Sequence, residues 1–441
     1  MSNLLLHIKD AYYFEVPRAF WTSRREKPEQ FPDWLVRNDA DFQSKEADSL
    51  IGTLNSFSGG AGNTANLKEK WEAWKESPSN FARPLDVYLE MEADALVSRA
   101  NKWASRNAKG ASDKLKAYLA ESDSGASEEF GWFADLRSDR EFMKKWAEAK
   151  ASQNSSKTVS DYLKTAKWDE SKVAEYNDAL SGKVLIPQPF GTLRNAYEPE
   201  SGFCISKYMI IELGVALLLV AAFSWLGKRV GSGDAPKGKV WNLLEGLMEY
   251  VRVQVFEPAM GKEDSRRFMP LLASLFVFIF GLNLAGMIPF LGSPTATLAC
   301  TGALALVVFV VGLVWGLRAM GPVGYLKNLC PSMGLPPALS VIIVPMLWTI
   351  EFISLFMKHG ILALRLLANM VAGHAVLLGL MGLAVGAHAL AMHFGLWGLL
   401  AGATGASMVA MSLLELFIAF LQAAMFTFLA GLFISSSIHH H

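Results

Sequence analysis

Residues 337–385 read PALSVIIVPMLWTIEFISLFMKHGILALRLLANMVAGHAVLLGLMGLAV. Only three of these side chains carry full charges: Glu351, Lys358 and Arg365. A helix of about 20 apolar residues already crosses the hydrocarbon of a bilayer. This run is more than twice that length. An ordinary water-facing domain has no use for such a segment. The stretch therefore predicts a membrane-spanning helix, and the charges inside it need a reason.

The surroundings agree. From Phe268 to His441 only six residues are charged: Arg318, Lys327, Glu351, Lys358, Arg365 and Glu415. A second long apolar segment runs from His393 to Ser435. Each long segment fits either one steeply tilted helix or two short ones; we read two long tilted helices. Tyr208–Gly227 supplies a first span. Phe268–Leu291 and Thr297–Arg318 form a hairpin around Gly292-Ser293-Pro294. The expectation is an all-α polytopic membrane protein with about five spans. Lys228, Arg229, Lys237 and Lys239 follow the first span, and Arg318 and Lys327 close the third. Basic residues mark the cytoplasmic side, or the matrix side in a mitochondrion. The carboxyl terminus then falls on that side too. The final His439, His440 and His441 are read as native. Between the first two spans, Trp241–Met260 places Trp241, Leu244, Met248, Val251 and Val255 on one stripe. Glu245, Glu249 and Arg252 lie off it, as in an amphipathic helix at the interface.

Residues 1–200 are different. Of 41 basic and 41 acidic residues, most fall here, and eight of the 13 Trp. Asn66–Glu76 and Leu85–Lys109 are the clearest helices. The second repeats Leu85, Leu89, Ala93, Leu96, Ala100 and Trp103 at helical spacing. Breaks fall at Ser58–Asn63, Ser122–Ser127 and Ala151–Ser156. Pro187, Pro189, Gly191 and Pro199 mark a linker. The division predicted is a polar helical region, 1–200, on the outer side, and a membrane domain, 201–441. The formal net charge is zero. That argues against a nucleic-acid partner, so the tryptophans are read as core filler. Cys204, Cys300 and Cys330 fit neither a disulfide scaffold nor a zinc motif. No cofactor or metal is expected. No GxxxxGK[ST] loop occurs, so the chain is not expected to hold a nucleotide. Met1–Lys9 reads as neither signal nor transit peptide.

A charge in the bilayer interior survives when it is paired, wetted or used. Arg365 is the sharpest case, because a guanidinium cannot escape by losing its proton. One reading is an ion pair with Glu351 or Glu415. The other is a fixed positive charge facing a mobile carboxylate on a partner, which would hold that carboxylate ionised. Asn369 follows one turn on, about 40° around. His374 lies about 180° around and roughly 13 Å along the axis, on another side. Glu351 is roughly 21 Å before Arg365, about 40° from its face. Glu415 and Gln422 share nearly one face of the last helix. Glu415 is read either as a bonded partner of His374 or as its relay. His388 and His393 are read as loop residues. Glycines at 382, 386, 395, 398, 402 and 405 allow close helix packing.

At these residues a resemblance becomes visible. Ala363-Leu-Arg365-Leu-Leu-Ala-Asn369-Met-Val-Ala-Gly373-His374 resembles the signature of subunit a of F-type rotary ATP synthases. Upstream, Asn283-Leu-Ala-Gly-Met-Ile-Pro289, Ser293-Pro-Thr295 and Pro345…Glu351-Phe-Ile-Ser354 are similar as well. Downstream, so is Glu415…Leu421-Gln422-Ala423…Phe426. The resemblance covers about residues 205–438. It implies a stator beside a rotating ring of c subunits, each with a membrane-embedded carboxylate. Two offset half-channels would feed protons to that ring. It implies Arg365 as the essential charge between the half-channels, with Asn369 and Gln422 toward the ring. His374 and Glu415 would belong to the outer half-channel and Glu351 to the inner one. Peripheral-stalk b subunits, other ATP synthase subunits, lipid and protons are the implied partners.

Two features depart from that family. Roughly 200 residues precede the first span, although His7-Ile-Lys-Asp-Ala-Tyr-Tyr-Phe-Glu-Val-Pro17 weakly resembles the usual start. The polar region then reads as an insertion after it, in a peripheral-stalk or subunit-contact role. Lys358 is unexpected at depth, and either snorkels or pairs with Glu351. The competing reading is a secondary transporter that binds an anionic substrate at Arg365; it expects an inverted repeat, and none is found. A passive membrane anchor would not explain five ionisable groups in two helices. Protons are preferred to sodium because His374 shuttles them near neutral pH. A bacterial inner membrane is the favoured compartment, with the mitochondrial inner membrane second.

Overall fold

The computed structural model describes residues 10–58, 64, 66–77, 80, 83–107, 114–121, 125–153, 156–165, 168–230, 238–288, 291–328, 337–385 and 394–438. Cys330, Gly386, His388, His393 and His439–His441 lie outside the described residues, as does the start Met1–Lys9. Contacts divide the chain into two units. One joins the start of the chain, through Phe14, to Ile205–His441; the other is Glu15–Cys204.

The second unit is a small helical domain. Its helices are α1 (Asp33–Arg37), α2 (Ala40–Ser58), α3 (Leu67–Lys75), α4 (Leu85–Asn107), α5 (Lys114–Glu121), α6 (Gly125–Leu136), α7 (Arg140–Gln153), α8 (Ser156–Thr165) and α9 (Glu170–Leu180). Its short strands are β2 (Lys183–Leu185), β3 (Gly191–Leu193) and β4 (Pro199–Gly202); β1 (Tyr13–Glu15) falls across the boundary of the two units. The helical repeat read in α4 is its buried face: Leu85, Leu89, Ala93, Leu96 and Ala100 are all essentially inaccessible. They pack on Leu50 and Leu54 of α2, Trp71 of α3, Phe133 of α6, and Phe142 and Trp146 of α7. Seven of the eight tryptophans here are buried or half-buried, in line with core filling, whereas Trp21 is exposed. The segment read as a Pro-rich linker instead carries the antiparallel β3–β4 hairpin.

Buried charge fastens this unit. Arg37 on α1 holds Glu200 of β4 at 2.8 Å, and Arg194, after β3, holds Asp86 of α4 at 2.8 Å. Glu46 of α2 stands in the same field, with Arg37, Arg194, Asp86 and Glu200 around it. A second node gathers on Asp39, which accepts hydrogen bonds from Tyr162 of α8, Tyr176 of α9 and Lys172 of α9. Burial opposes ionisation of Asp39, yet those donors hold its carboxyl below the usual range.

The first unit holds the spans. They lie in α10 (Lys207–Val230), α12 (Glu257–Gly286), α13 (Leu298–Asn328), α14 (Pro337–Val385) and α15 (Phe394–Ile438), with α11 (Lys239–Val251) between the first two. Among the described residues, five helical stretches are long and apolar enough to cross a membrane. The two long segments are single helices of 49 and 45 residues. At 1.5 Å per residue each is about 70 Å long, against about 30 Å of hydrocarbon. Neither fits the apolar layer upright, which supports tilted helices over pairs of short ones.

The amphipathic segment runs through Met260, as expected. A π-turn, Arg252–Phe256, carries α11 into the first residues of α12, and the break before the second span comes at Gly261, with φ of 80°. The predicted stripe is the packed face: Trp241, Val251 and Val255 are buried. Val251, Val255, Phe256 and Met260 join Leu272, Phe276, Ile279, Val308, Ala423 and Ile434 in one core. The stripe therefore faces protein, leaving the polar side outward. α12 packs mainly on α15, and α13 and α14 also pack on α15.

The turn between α12 and α13 is pinned by side chains. Thr295 donates to Asn283 Oδ1 at 2.9 Å and meets Ser293 Oγ at 3.0 Å. Asn283 Nδ2 in turn donates to the Ala419 carbonyl of α15 at 3.3 Å. All three polar side chains are buried, so each needs these partners.

Burial pushes the Glu46 carboxyl up to about 7, from about 4.5 when unfolded. The folded state then binds the extra proton, so this group weakens the helical unit as pH rises from 4.5 to 7. Glu46→Gln should flatten that dependence. In the full-length protein, amide exchange from α2 should slow in the variant at pH 8 and change little at pH 5. A slope unchanged by the substitution would contradict the assignment.

Candidate functional site

α14 presents its charges in an ordered way. With Arg365 taken as zero, Lys358 lies about 20° around, and Glu351 and Asn369 about 40°. These four polar residues form one column. Beside it, Leu362, Leu366 and Met370 form the buried seam, centred about 100° around. His374 falls about 180° around, beyond the seam. The packed seam thus separates Arg365 from His374.

Arg365 and Asn369 are exposed on the surface of the chain. Among the described residues Arg365 makes no ion pair. Glu351 is engaged elsewhere: Lys358 Nζ holds its carboxylate at 2.7 Å. That contact also accounts for Lys358, two helical turns from Glu351 on nearly one face. Glu415 is not its partner either. Glu415 is 4 % exposed, and its Oε1 accepts no hydrogen bond. The reading of Arg365 as one half of a structural ion pair with Glu351 or Glu415 is therefore not realised.

Glu415 turns from α15 toward α14 at Gly373. A methyl group at residue 373 would lie 2.6 Å from Glu415 Oε1. Glycine makes room for the carboxyl at that point. His374, the next residue, is half-buried, and its Nε2 is buried without a partner. No hydrogen bond joins His374 to Glu415, so the direct pair considered from the sequence is not formed. Both groups instead keep a free polar atom.

Glu415 lines a cavity of about 140 Å³ between α14 and α15. Asn369 and Gly373 form one wall, Gln422 another, and Asn283 of α12 closes it. Gln422 is nine-tenths buried, so it points into this cavity more than outward. The cavity joins an exposed polar group near Arg365, Asn369, to a buried carboxyl. It can hold water at roughly 30 Å³ per molecule and can pass a proton along it. Asn283 is held in place by Thr295, so the turn between α12 and α13 shapes the cavity's far end. Five of the six residues singled out from the sequence lie along this part of the bundle; Glu351 stands about 21 Å away along α14.

Two ionisable groups escaped the sequence reading. Glu212 lies within α10 and hydrogen-bonds to Cys300 of α13. It stood in the first span, YMIIELGV, but the count of charges began only at Phe268. His359, 8 % exposed, places Nδ1 2.8 Å from the Leu355 carbonyl and packs against Phe309 and Phe433. A histidine among apolar neighbours gave no pattern by which to find it. Among the described residues no cluster of His, Cys, Asp and Glu could hold a metal ion.

Comparison with known proteins bears directly on this geometry. The family model described as ATP synthase A chain matches residues 209–435. ATP synthase subunit a of Myxococcus xanthus is 40% identical over 240 residues, 54% of this chain and 75% of that protein. The subunit a of Anaeromyxobacter dehalogenans is 40% identical over 240 residues, 58% of its length. That of Chloroherpeton thalassium is 33% identical over 278 residues, 62% of this chain and 78% of that one. The matched region contains α14, α15, the cavity and the polar column. The chain therefore belongs to the ATP synthase subunit a family, a multi-pass component of the proton-translocating membrane sector.

Proposed function

We propose that this chain is the stator for proton flow in a bacterial inner-membrane ATP synthase. It offers two offset half-channels to the carboxylates of a c-subunit ring and so couples proton flow to rotation. One observation carries the reading. Arg365 stands exposed on an apolar helix, with no ion pair among the described residues. A guanidinium in that setting is stable only against an anion or water supplied from outside the chain. A ring carboxylate passing Arg365 would be held ionised by it and would have to release its proton first. Proton exchange would then be confined to the two sides of the arginine.

Glu415, His374 and the cavity with Asn369, Gln422 and Asn283 form the outer access route in this reading. Glu351 belongs to the inner one, with Lys358 as its counter-charge. Peripheral-stalk b subunits and the remaining ATP synthase subunits are the other partners. Residues 15–185 serve as an extramembrane contact surface within that assembly. The transporter reading, with Arg365 binding a free anionic substrate, is not adopted, because family and cavity both favour proton transfer. No nucleotide site is assigned to this chain.

Removing the fixed charge tests the mechanism. An interaction of about 3 kcal/mol lost at Arg365 slows a step roughly a hundredfold. Arg365→Ala should abolish ATP-driven pumping and proton-driven synthesis in inverted vesicles, while detached ATPase activity persists. Pumping at the normal rate would reject the proposal.

Glu415→Gln should be milder, about tenfold in proton flux, because water in the cavity can bridge the gap. The measurement is the flux through assembled complexes at matched subunit content. If the complex failed to assemble instead, Glu415 would be structural.

A further inference from the structure

At the open end of the β3–β4 hairpin two aromatic side chains stand exposed among the described residues. Phe190 is 70% exposed and Phe203 is 59% exposed. They are cross-strand neighbours, one step beyond the Gly191–Gly202 pair, and Phe203 N–H donates to the Phe190 carbonyl at 3.1 Å. The two glycines make that approach possible. Gly202 has φ of +73°, and a Cβ there would fall 2.2 Å from the Phe190 oxygen. A Cβ on Gly191 would meet Cys204 Sγ at 2.6 Å. With side chains at either position, the two strand ends would be forced apart and the phenyl groups with them.

The other parts of the hairpin are held firmly. Glu200 is gripped by Arg37, and Arg194 grips Asp86. Thr192 and Ser201 hydroxyls meet across the strands at 2.7 Å. A hairpin so clamped can transmit a fixed position from its open end to the helical unit. The open end is also tethered: α10, the first span, begins at Lys207. Three residues separate Phe203 from Lys207, and an extended chain covers at most about 14 Å in the four steps. Phe203 must therefore lie close to the level at which the chain enters the membrane. Headgroup layers add several ångströms outside the hydrocarbon, and aromatic side chains are at home there.

We propose that Phe190 and Phe203 form a lipid-facing wedge that seats residues 15–204 on the bilayer surface. The partner is the headgroup–acyl boundary of phospholipid. The two rings supply apolar area at the surface, and the buried ion pairs carry that anchorage into the helical unit.

Photo-crosslinking in the intact complex, reconstituted into phosphatidylethanolamine–phosphatidylglycerol vesicles, tests this. Benzoyl-phenylalanine replaces Phe190, Phe203 or, as a control, Met143 of α7. Lipid adducts should form at the two phenylalanine positions, severalfold above Met143. Adducts to protein subunits alone, no adduct, or equal lipid labelling at all three positions would overturn the proposal. Hydroxyl-radical oxidation of the unaltered complex in the same vesicles avoids any effect of substitution. Phe190 and Phe203 should be protected relative to Phe20, which is 84% exposed. Oxidation of all three in proportion to their exposure would overturn it.

Discussion

A guanidinium cannot shed its charge, and an apolar layer cannot solvate it. Arg365 meets both conditions and finds no counter-ion among the described residues of its own chain. The carboxylates that could have neutralised it are otherwise disposed. Glu351 is held by Lys358 at 2.7 Å, and Glu415 is turned into the cavity at Gly373. The packing around Arg365 leaves that charge exposed. Leu362, Leu366 and Met370 fasten one side of α14 to its neighbours, which leaves the polar column at the edge of the packed seam.

The same packing separates two environments. On one side of the seam lie Arg365 and Asn369, open to whatever passes. Within the bundle, Glu415 and His374 keep buried polar atoms without hydrogen bonds. Such atoms are costly in a dry interior. Glu415 borders a cavity that also carries Asn283, Asn369 and Gln422, where water can satisfy it. The Asn283–Thr295–Ser293 contacts matter for this reason. They hold the turn between α12 and α13 against α15 and so keep one wall of the cavity in place.

The Glu15–Cys204 unit obeys a different logic. It has its own core, centred on α4, and a set of buried ion pairs that brings the β3–β4 hairpin onto the helices. Removing one partner of such a pair leaves an uncompensated buried charge, which is strongly destabilising. The pairs thus specify where the hairpin lies. The start of the chain, through Phe14, belongs with the spans, so residues 15–204 form an excursion between two parts of one unit.

The membrane class and the five spans were legible in composition and spacing alone, and Arg365 stood out there as a charge that needs a reason. Charge is so unfavourable in hydrocarbon that six charged residues after Phe268 leave few alternatives. Helical repeats likewise revealed the buried face of α4 and the stripe of α11. Pairing was beyond that reading, because it depends on rotamers and on which helices touch. Lys358 finding Glu351, Glu415 missing His374, and Gln422 turning inward were all decided by tertiary packing. The β3–β4 hairpin was hidden for a related reason. Its strands are three and four residues long and rich in Gly and Pro, so long-range ion pairs, rather than local propensity, hold it together.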